Sequence, residues 1–443
     1  MSKRNMYLLL TTLLGSFIGF LFFIFMNPLN IQVTLILVGL ILLPATIYYS
    51  FVHLYATSLF ILFCSFGFMN TSLKLFDLLF VIVALIFFIL KKQKLKVIKE
   101  LILINYALLL FIVVSLLSLL NSNEIQLGFS YFIHTLFMVI IFYFLALTIQ
   151  TKKEFSSIIW GYVTTVLIST FAVIFQKSGL IGDIGTWFQG VRAQGFFIDP
   201  NDFSPFLILA IVILIEKAFS YHYFSFKFFT FCFLAGTVIL TLLASMSRAA
   251  LLNLTIVLLI YFFYSVFYKK KYVQTVMLLL PMLLLAIILI MVSGDSIMTY
   301  LSIRFSGSAD LLQTYDIDRF YYQRQGILVG STHLFGIGPG QFEYIFGYAT
   351  HNLFVRIIAE NGWIALLAFI AVLLYILILL VYYRKKEVWN IPVYLFLSVF
   401  IGMIINSFFL DTLHWRYLWF YLGLCTILLN QVVKKQKKEK SDR

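Results

Sequence analysis

The feature that most constrains this chain is a succession of apolar stretches, each roughly 18–22 residues long. A helix of that length crosses about 30 Å of hydrocarbon, whereas a membrane β-barrel would show short alternating segments. Hydrophobic residues make up 62% of the sequence and charged residues 11%, which excludes a soluble globular protein. The sequence therefore predicts an all-α polytopic membrane protein with about fourteen transmembrane helices, within a range of twelve to fourteen.

Basic residues set the direction of the predicted spans. With fourteen spans and a cytoplasmic N-terminus, the lysine and arginine clusters at both termini and between the spans all fall on the cytoplasmic side. The weakest separation lies between the second and third spans. The predicted spans are 7–26, 31–49, 52–69, 73–90, 99–120, 127–149, 156–178, 203–220, 228–246, 249–268, 273–293, 362–383, 391–411 and 415–432.

This topology divides the chain into four parts. Residues 1–293 form helices one to eleven with an outer loop at 178–202, residues 294–361 form a long extracytoplasmic loop, residues 362–432 form the last three helices, and residues 433–443 are a basic cytoplasmic tail. The long loop far exceeds the length of an ordinary connection, so we expect it to be functional. Its aromatic and periodic apolar residues predict short amphipathic helices at the membrane surface.

The predicted outer face is enriched in arginine. Only two of the 22 lysines lie outside, but seven of the ten arginines do. Arginine grips phosphate or carboxylate at two points and keeps its charge, so these residues predict an anion-binding face. The alternative is that some of them pair with outer carboxylates such as Glu360. The net charge of +14 does not indicate a nucleic-acid partner, because most basic residues cluster at helix ends.

The passage from Gly336 to Gly362 is the most polar and glycine-rich of the chain and is the predicted active-site loop. The outer side of a membrane lacks ATP, so a transfer reaction there needs a donor that arrives activated, such as a sugar linked to a lipid pyrophosphate. Arginines would stabilise the departing pyrophosphate, and His351 suits a base near neutral pH. The alternative for His351 and Asn352 is that they cap a helix.

The sequence indicates neither a metal nor a cofactor. It has no His-x-x-x-His or His-Glu-x-x-His pattern, no Walker loop and no dinucleotide fingerprint in a βαβ setting. All three cysteines lie within apolar runs, which argues against disulfides, a cysteine metal site and a catalytic thiol.

Several short motifs, taken in order, resemble the O-antigen ligase and O-antigen polymerase superfamily of bacterial surface-polysaccharide assembly. Each motif is short, but the ordered set is specific. The motifs are Arg192-Ala-Gln-Gly-Phe-Phe-Ile-Asp-Pro-Asn201, Ser247-Arg248, Gly336-Ile-Gly-Pro-Gly-Gln-Phe342, His351-Asn352-Leu-Phe and Glu360-Asn-Gly362.

The resemblance implies an inverting, metal-independent, membrane-embedded glycosyltransferase of GT-C-like type in the bacterial inner membrane, with an extracytoplasmic catalytic loop. Its donor would be an oligosaccharide on undecaprenyl pyrophosphate, and its further partners membrane lipid and a chain-length regulator. The family's essential histidine corresponds to His351, and its pyrophosphate-binding arginines to Arg192, Arg248 and Arg319. Supporting residues are Arg304, Arg324, Asn352, Arg356 and Glu360. Pro200 and Asn201 are expected to be structural, with Asn201 or Asp202 capping the next helix.

The number of spans favours a polymerase of O-antigen, capsule or exopolysaccharide, which joins one lipid-linked repeat to another. The motifs fit equally well a ligase that transfers the glycan to a lipid or protein acceptor. A transporter of lipid-linked oligosaccharides is a further alternative, although the polar residues away from helix ends concentrate on one face. A non-enzymatic scaffold, with the long loop as a protein-binding site, is the last.

Overall fold

The computed structural model of the protein describes residues 55–69, 75–90, 102–178, 188–189, 192–279 and 309–441, and it is nearly all-α. The helices are α1 Tyr55–Cys64, α2 Leu75–Leu90, α3 Ile102–Ser118, α4 Ile125–Thr148, α5 Lys152–Lys177, α6 Pro200–Ala218, α7 Phe226–Ala244, α8 Arg248–Lys269, α9 272–279, α10 Ala309–Thr332, α11 Gln341–Phe346, α12 Leu353–Tyr382, α13 Val393–Ser407 and α14 Arg416–Ser441. A 3-10 turn spans Leu119–Asn121, and four short strands are β1 Phe188–Gln189, β2 Arg192–Ala193, β3 Glu387–Val388 and β4 Ile391–Pro392.

Within this described part of the chain, seven helices are long and apolar enough to cross a membrane, namely α3 with its 3-10 turn, α4, α5, α7, α8, α12 and α14. Shorter apolar helices include α1, α2 and α13. The predicted class, an all-α polytopic membrane protein, is confirmed, and the total of fourteen spans stays a prediction. The predicted spans 7–26 and 31–49 lie outside the described residues, as does most of 273–293.

The described chain falls into two compact units. The first contains α1, α2 and α5 from Ser156 onward. The rings of Phe63, Phe66 and Phe76 pack together in its core. Gly161 of α5 lies against the carbonyl oxygen of Phe60, where a larger residue would clash. Small residues of this kind allow membrane helices to approach closely.

The second unit contains the remaining described helices and all candidate site residues that the structure describes. Its most extensive helix pairs are α3 with α12, α6 with α7, α8 with α13 and α4 with α14. Helix α10 packs along the start of α12. Trp419 is fully buried in the core and packs edge-on against Phe369, which in turn contacts Phe111.

Loops of the second unit meet at two separate ends. At one end, Asn121 donates to the carbonyl of Gly336, and Asn352 donates to the carbonyl of Phe408. At the other end, Lys271 pairs with Glu216, and Lys269 pairs with Glu387. Loops that the sequence predicts on one side of the membrane therefore share one end of this unit.

Helix α12 is interrupted at Gly362, whose backbone has φ 84° and ψ 176°. This left-handed φ favours glycine, and a Cβ here would overlap the carbonyl oxygen of Leu334. The break separates a short, buried first segment from the apolar segment that follows, and it falls where the sequence predicts the twelfth span to begin.

Candidate active site

His351 lies immediately before α12 in a left-handed backbone conformation, with φ 51°. Asn352 is the N-cap of α12, and its Oδ1 accepts hydrogen bonds from the backbone of Phe354 at 2.9 Å and Val355 at 3.1 Å. Its Nδ2 donates to the carbonyl of Phe408 at 3.0 Å. The predicted capping role thus belongs to Asn352, and the His351 side chain is half-buried.

The glycine turn from Gly336 to Gly340 is clamped to the first segment of α12. Backbone N–H groups of Ile337 and Gly338 donate to the carbonyls of Ala359 and Glu360, each at 2.9 Å. The N–H of Gly340 donates to the Glu360 carboxylate at 2.8 Å. Gly336 has φ 73°, and a Cβ on it would overlap the Glu360 backbone. Glu360 therefore fixes the conformation of this glycine turn through its carbonyl and its carboxylate.

Arg356 is buried in a network of charged side chains. Its Nε pairs with Glu360 at 3.1 Å, and a terminal nitrogen pairs with Asp411. The guanidinium lies over the ring of Tyr131, 5.3 Å from the centroid. Both acidic partners are largely buried, so their charges offset that of Arg356. The sequence alternative of an arginine paired with carboxylates is confirmed for this residue.

His414, which lies just before α14, closes the same network against α4. Its Nε2 lies 3.0 Å from the hydroxyl of Thr135, and its ring contacts Tyr131 and His134. Burial lowers the pKa of His414 well below its usual value, and the charges of Arg356 and His134 lower it further. A neutral imidazole can therefore pack beside the guanidinium without repelling it.

Arg192 is held at the turn between α7 and α8. Its Nε donates to the carbonyl of Ser245 at 2.9 Å, and a terminal nitrogen donates to Asn201 Oδ1 at 2.9 Å. Met246 in this turn has a left-handed φ of 54°, which a bulky residue rarely adopts. Arg248 is the first residue of α8, so the turn brings Arg192 and Arg248 into one region, both half-buried.

Helix α6 begins beside this turn. Asp199 is its N-cap and accepts from the backbone of Asn201 at 2.7 Å, with Pro200 at the first helical position. The prediction that Asn201 or Asp202 would cap this helix is wrong. Proline has no N–H to satisfy, so the cap falls on the residue before it. Asn201 instead orients Arg192, in agreement with its expected structural role.

Three carboxyl groups converge on this region, namely those of Asp199, Asp202 and Asp411. Burial raises the pKa of Asp202 to about 8, and the charges of Asp199 and Asp411 contribute. Asp202 is therefore mostly protonated at neutral pH. Asp411 is neutralised by its ion pair with Arg356.

Burial also lowers the pKa of His351 from its usual value, and the charge of Arg319 lowers it further. The carboxylates of Asp411 and Asp199 act in the opposite direction. The net lowering favours the neutral form of the His351 imidazole. Arg319 is half-buried on α10, one turn before Gln323, whose amide lies 3.5 Å from the His351 carbonyl.

The structure thus groups most, but not all, of the predicted site residues. The charges of Arg319 and Asp199 both act on His351. Asp199 caps α6, the helix that carries Asn201. Arg356 and Glu360 are structural supports, Arg324 is exposed on α10, and Arg304 lies outside the described residues. Within the described ranges, no three His, Cys, Asp or Glu side chains are grouped to hold a metal ion.

Sequence reasoning missed Asp411 and underrated Asp202. Asp411 lies at the outer end of a predicted span. A carboxylate at the edge of an apolar run is a sequence signal for a functional or paired group, and it could have identified Asp411. Sequence reasoning offered Asp202 only as a helix cap or as a partner for an outer arginine. Its raised pKa depends on burial and on Asp411, which is distant in the chain.

Residues 231–370 match a family model described as O-Antigen ligase. The matched range contains Arg248, Arg319 and His351, whereas Arg192 precedes it. This match covers about a third of the chain and supports its resemblance to the O-antigen ligase and polymerase superfamily, whose members are glycosyltransferase-like ligases and polymerases. The seven apolar helices of the described residues agree with a multi-pass membrane protein. None of the curated proteins searched matches the chain.

Proposed function

We propose that this protein is a polymerase of a bacterial surface polysaccharide. It transfers an oligosaccharide from undecaprenyl pyrophosphate to the terminal sugar of a second lipid-linked repeat, with inversion and without a metal. The observation that carries the proposal is the grouping of arginines near His351. Arg192 and Arg248 lie at one turn between helices, and the charge of Arg319 acts on His351.

Several arginines in one region suit a pyrophosphate, because a multiply charged anion needs several cationic partners. Arginine can grip each phosphoryl group at two points. Partial burial strengthens these interactions relative to bulk water. The expected role of the three residues is therefore to bind the donor and to stabilise the charge on the departing pyrophosphate.

The transfer step is an in-line displacement at the anomeric carbon. A ring nitrogen of neutral His351 takes the proton of the acceptor hydroxyl as its oxygen bonds to that carbon. The bond from the anomeric carbon to the pyrophosphate oxygen breaks, and the electron pair leaves with the pyrophosphate. Attack from the opposite face inverts the anomeric configuration. The left-handed conformation of His351, locked by Asn352, fixes the base in place.

Ligase-type transfer is the second candidate. The family model that matches residues 231–370 is described as O-Antigen ligase, which favours this candidate. The donor and the base would be the same. The acceptor would be a lipid or protein in place of a second lipid-linked repeat. The two candidates therefore differ only in the substrate that reaches His351.

Substitution of arginine by lysine tests the proposed anion site. Arg192→Lys, Arg248→Lys and Arg319→Lys preserve the charge but remove two-point contact with phosphate. We expect each to raise the Kd for polyprenyl pyrophosphate in nanodiscs by about tenfold or more. Arg324→Lys is the matched control, because Arg324 is exposed on the same helix as Arg319. Unchanged binding in all three variants would contradict the site.

A further inference from the structure

A tyrosine-rich surface adjoins His351. The ring of Tyr348, three residues before the histidine, stacks on Tyr322 of α10 with centroids 5.1 Å apart and planes 6° from parallel. Tyr348 is 47% exposed, and Tyr344 of α11 is 54% exposed. We call Tyr322, Tyr344 and Tyr348 the aromatic shelf. Tyr344 and Tyr348 lie four residues apart on the segment that leads to His351.

The aromatic shelf is anchored to the elements that carry the base. Tyr322 packs against the buried cluster of Ile337, Phe342 and Ala359. The next residue, Gln323, reaches the His351 carbonyl with its amide. Tyr348 is joined to His351 by only two intervening residues of chain. Tyr322 and Tyr348 thus form a packed pair on the elements that carry His351.

The polar groups around the shelf select the kind of ligand. The hydroxyl of Tyr344 donates to Glu124 at 3.3 Å, and Glu343 is exposed beside it. These carboxylates disfavour an anionic headgroup, and they accept hydrogen bonds that an alkyl chain cannot give. A neutral sugar ring has a C–H face for an aromatic ring and a rim of hydroxyls for carboxylates. Rings bordered by acids thus fit a saccharide.

We propose that the aromatic shelf binds the terminal saccharide of the acceptor and presents one of its hydroxyls to His351. The proposal rests on the function proposed above, since it assigns the acceptor subsite of that reaction. The C–H face of the sugar lies on the exposed rings of Tyr344 and Tyr348. Its remaining hydroxyls meet Glu124 and Glu343. The pyrophosphate of the donor lies with the arginines, so the two substrates approach His351 from different groups of residues.

Transfer to a soluble acceptor tests the shelf. Purified protein in nanodiscs receives saturating lipid-pyrophosphate repeat from its host as donor, and the soluble repeat-unit oligosaccharide is titrated as acceptor. We expect Tyr348→Leu to raise the acceptor KM roughly tenfold, with kcat and the donor Kd unchanged. Tyr348→Phe, which retains the ring, should stay close to wild type. Phe320→Leu is the matched control, because Phe320 is 66% exposed on α10 but lies two residues from Tyr322 and so faces away from it.

The outcomes separate the two proposals. An unchanged acceptor KM in Tyr348→Leu, or an equal rise in Phe320→Leu, would overturn the shelf while leaving the transfer reaction intact. The second result would assign these exposed rings to the membrane surface. If wild-type protein transfers to no acceptor, the proposed function fails separately. Equilibrium binding of the same oligosaccharide to wild type and Tyr348→Leu then still tests the shelf, and equal affinities would refute it.

Discussion

We expect the wild-type protein to lose donor affinity at alkaline pH, and we expect the Asp202→Asn variant to keep its affinity there. The Asp202 carboxyl has a pKa of about 8 because it is buried and lies near Asp199 and Asp411. It is therefore about one-tenth ionised at pH 7 and about nine-tenths ionised at pH 9. Its ionisation places a new negative charge beside the arginines proposed to bind pyrophosphate.

The size of the effect follows from Coulomb's law. Unit charges about 8 Å apart interact by about 2 kcal/mol at an effective dielectric constant near 20, which is a factor of about 30 in Kd. Because the anion can still bind protein in which Asp202 is protonated, the wild-type Kd for polyprenyl pyrophosphate should rise by about eightfold between pH 7 and pH 9. Asparagine imitates the protonated acid at every pH, so the variant should lack this rise.

Filter binding of labelled polyprenyl pyrophosphate to nanodiscs, from pH 6.5 to 9.5, measures the difference. The variant should fold, because the start of α6 is also held by Tyr417, whose hydroxyl donates to the Asp202 carbonyl at 3.0 Å. Glu343→Gln is the control, since it removes an exposed carboxylate. The same pH dependence in wild type and Asp202→Asn would refute the assignment of Asp202 to the donor site.

Three further predictions concern the base and its supports. Arg319→Gln removes a nearby positive charge and should raise the pKa of His351. The acid limb of the pH–rate profile at saturating donor should then move to higher pH. An unmoved limb would contradict the electrostatic coupling of Arg319 to His351. Arg356→Met leaves two buried carboxylates without their cation and should lower stability by about 3–5 kcal/mol, seen as a lower Tm in detergent, and an unchanged Tm would count against the network. Asn352→Ala should cost about 1 kcal/mol in stability and reduce kcat more than donor affinity, and a reverse pattern would exclude a positioning role.

Local features of this site were predictable from sequence, because they depend on neighbouring residues. Asn352 before an apolar run reads as an N-cap, and the glycines from Gly336 to Gly340 read as a tight turn. The partners of these residues were not predictable. Arg356 pairs with Asp411 only because α12 and the end of α13 meet in space. No spacing rule connects residues from separate helices.

Asp199 and Asp202 show a second limit of sequence reasoning. The capping residue was misassigned by at most three positions, since Pro200 moves the cap to the residue before it. The raised pKa of Asp202 is a property of burial and of distant charges, and neither is visible in a single sequence. The helical class was clear from the apolar stretches because a membrane permits few other solutions.

The most direct test of the account is a product analysis. Purified protein in nanodiscs would receive its host's lipid-pyrophosphate repeat with no other acceptor, alongside His351→Ala at the same protein level. The account predicts a ladder of lengthened lipid-linked chains from the wild type, and retained donor binding without a ladder from the variant. Transfer only after a second acceptor is added would identify a ligase. An undiminished ladder from His351→Ala, or intact donor binding with no transfer by the wild type to any acceptor, would contradict the account.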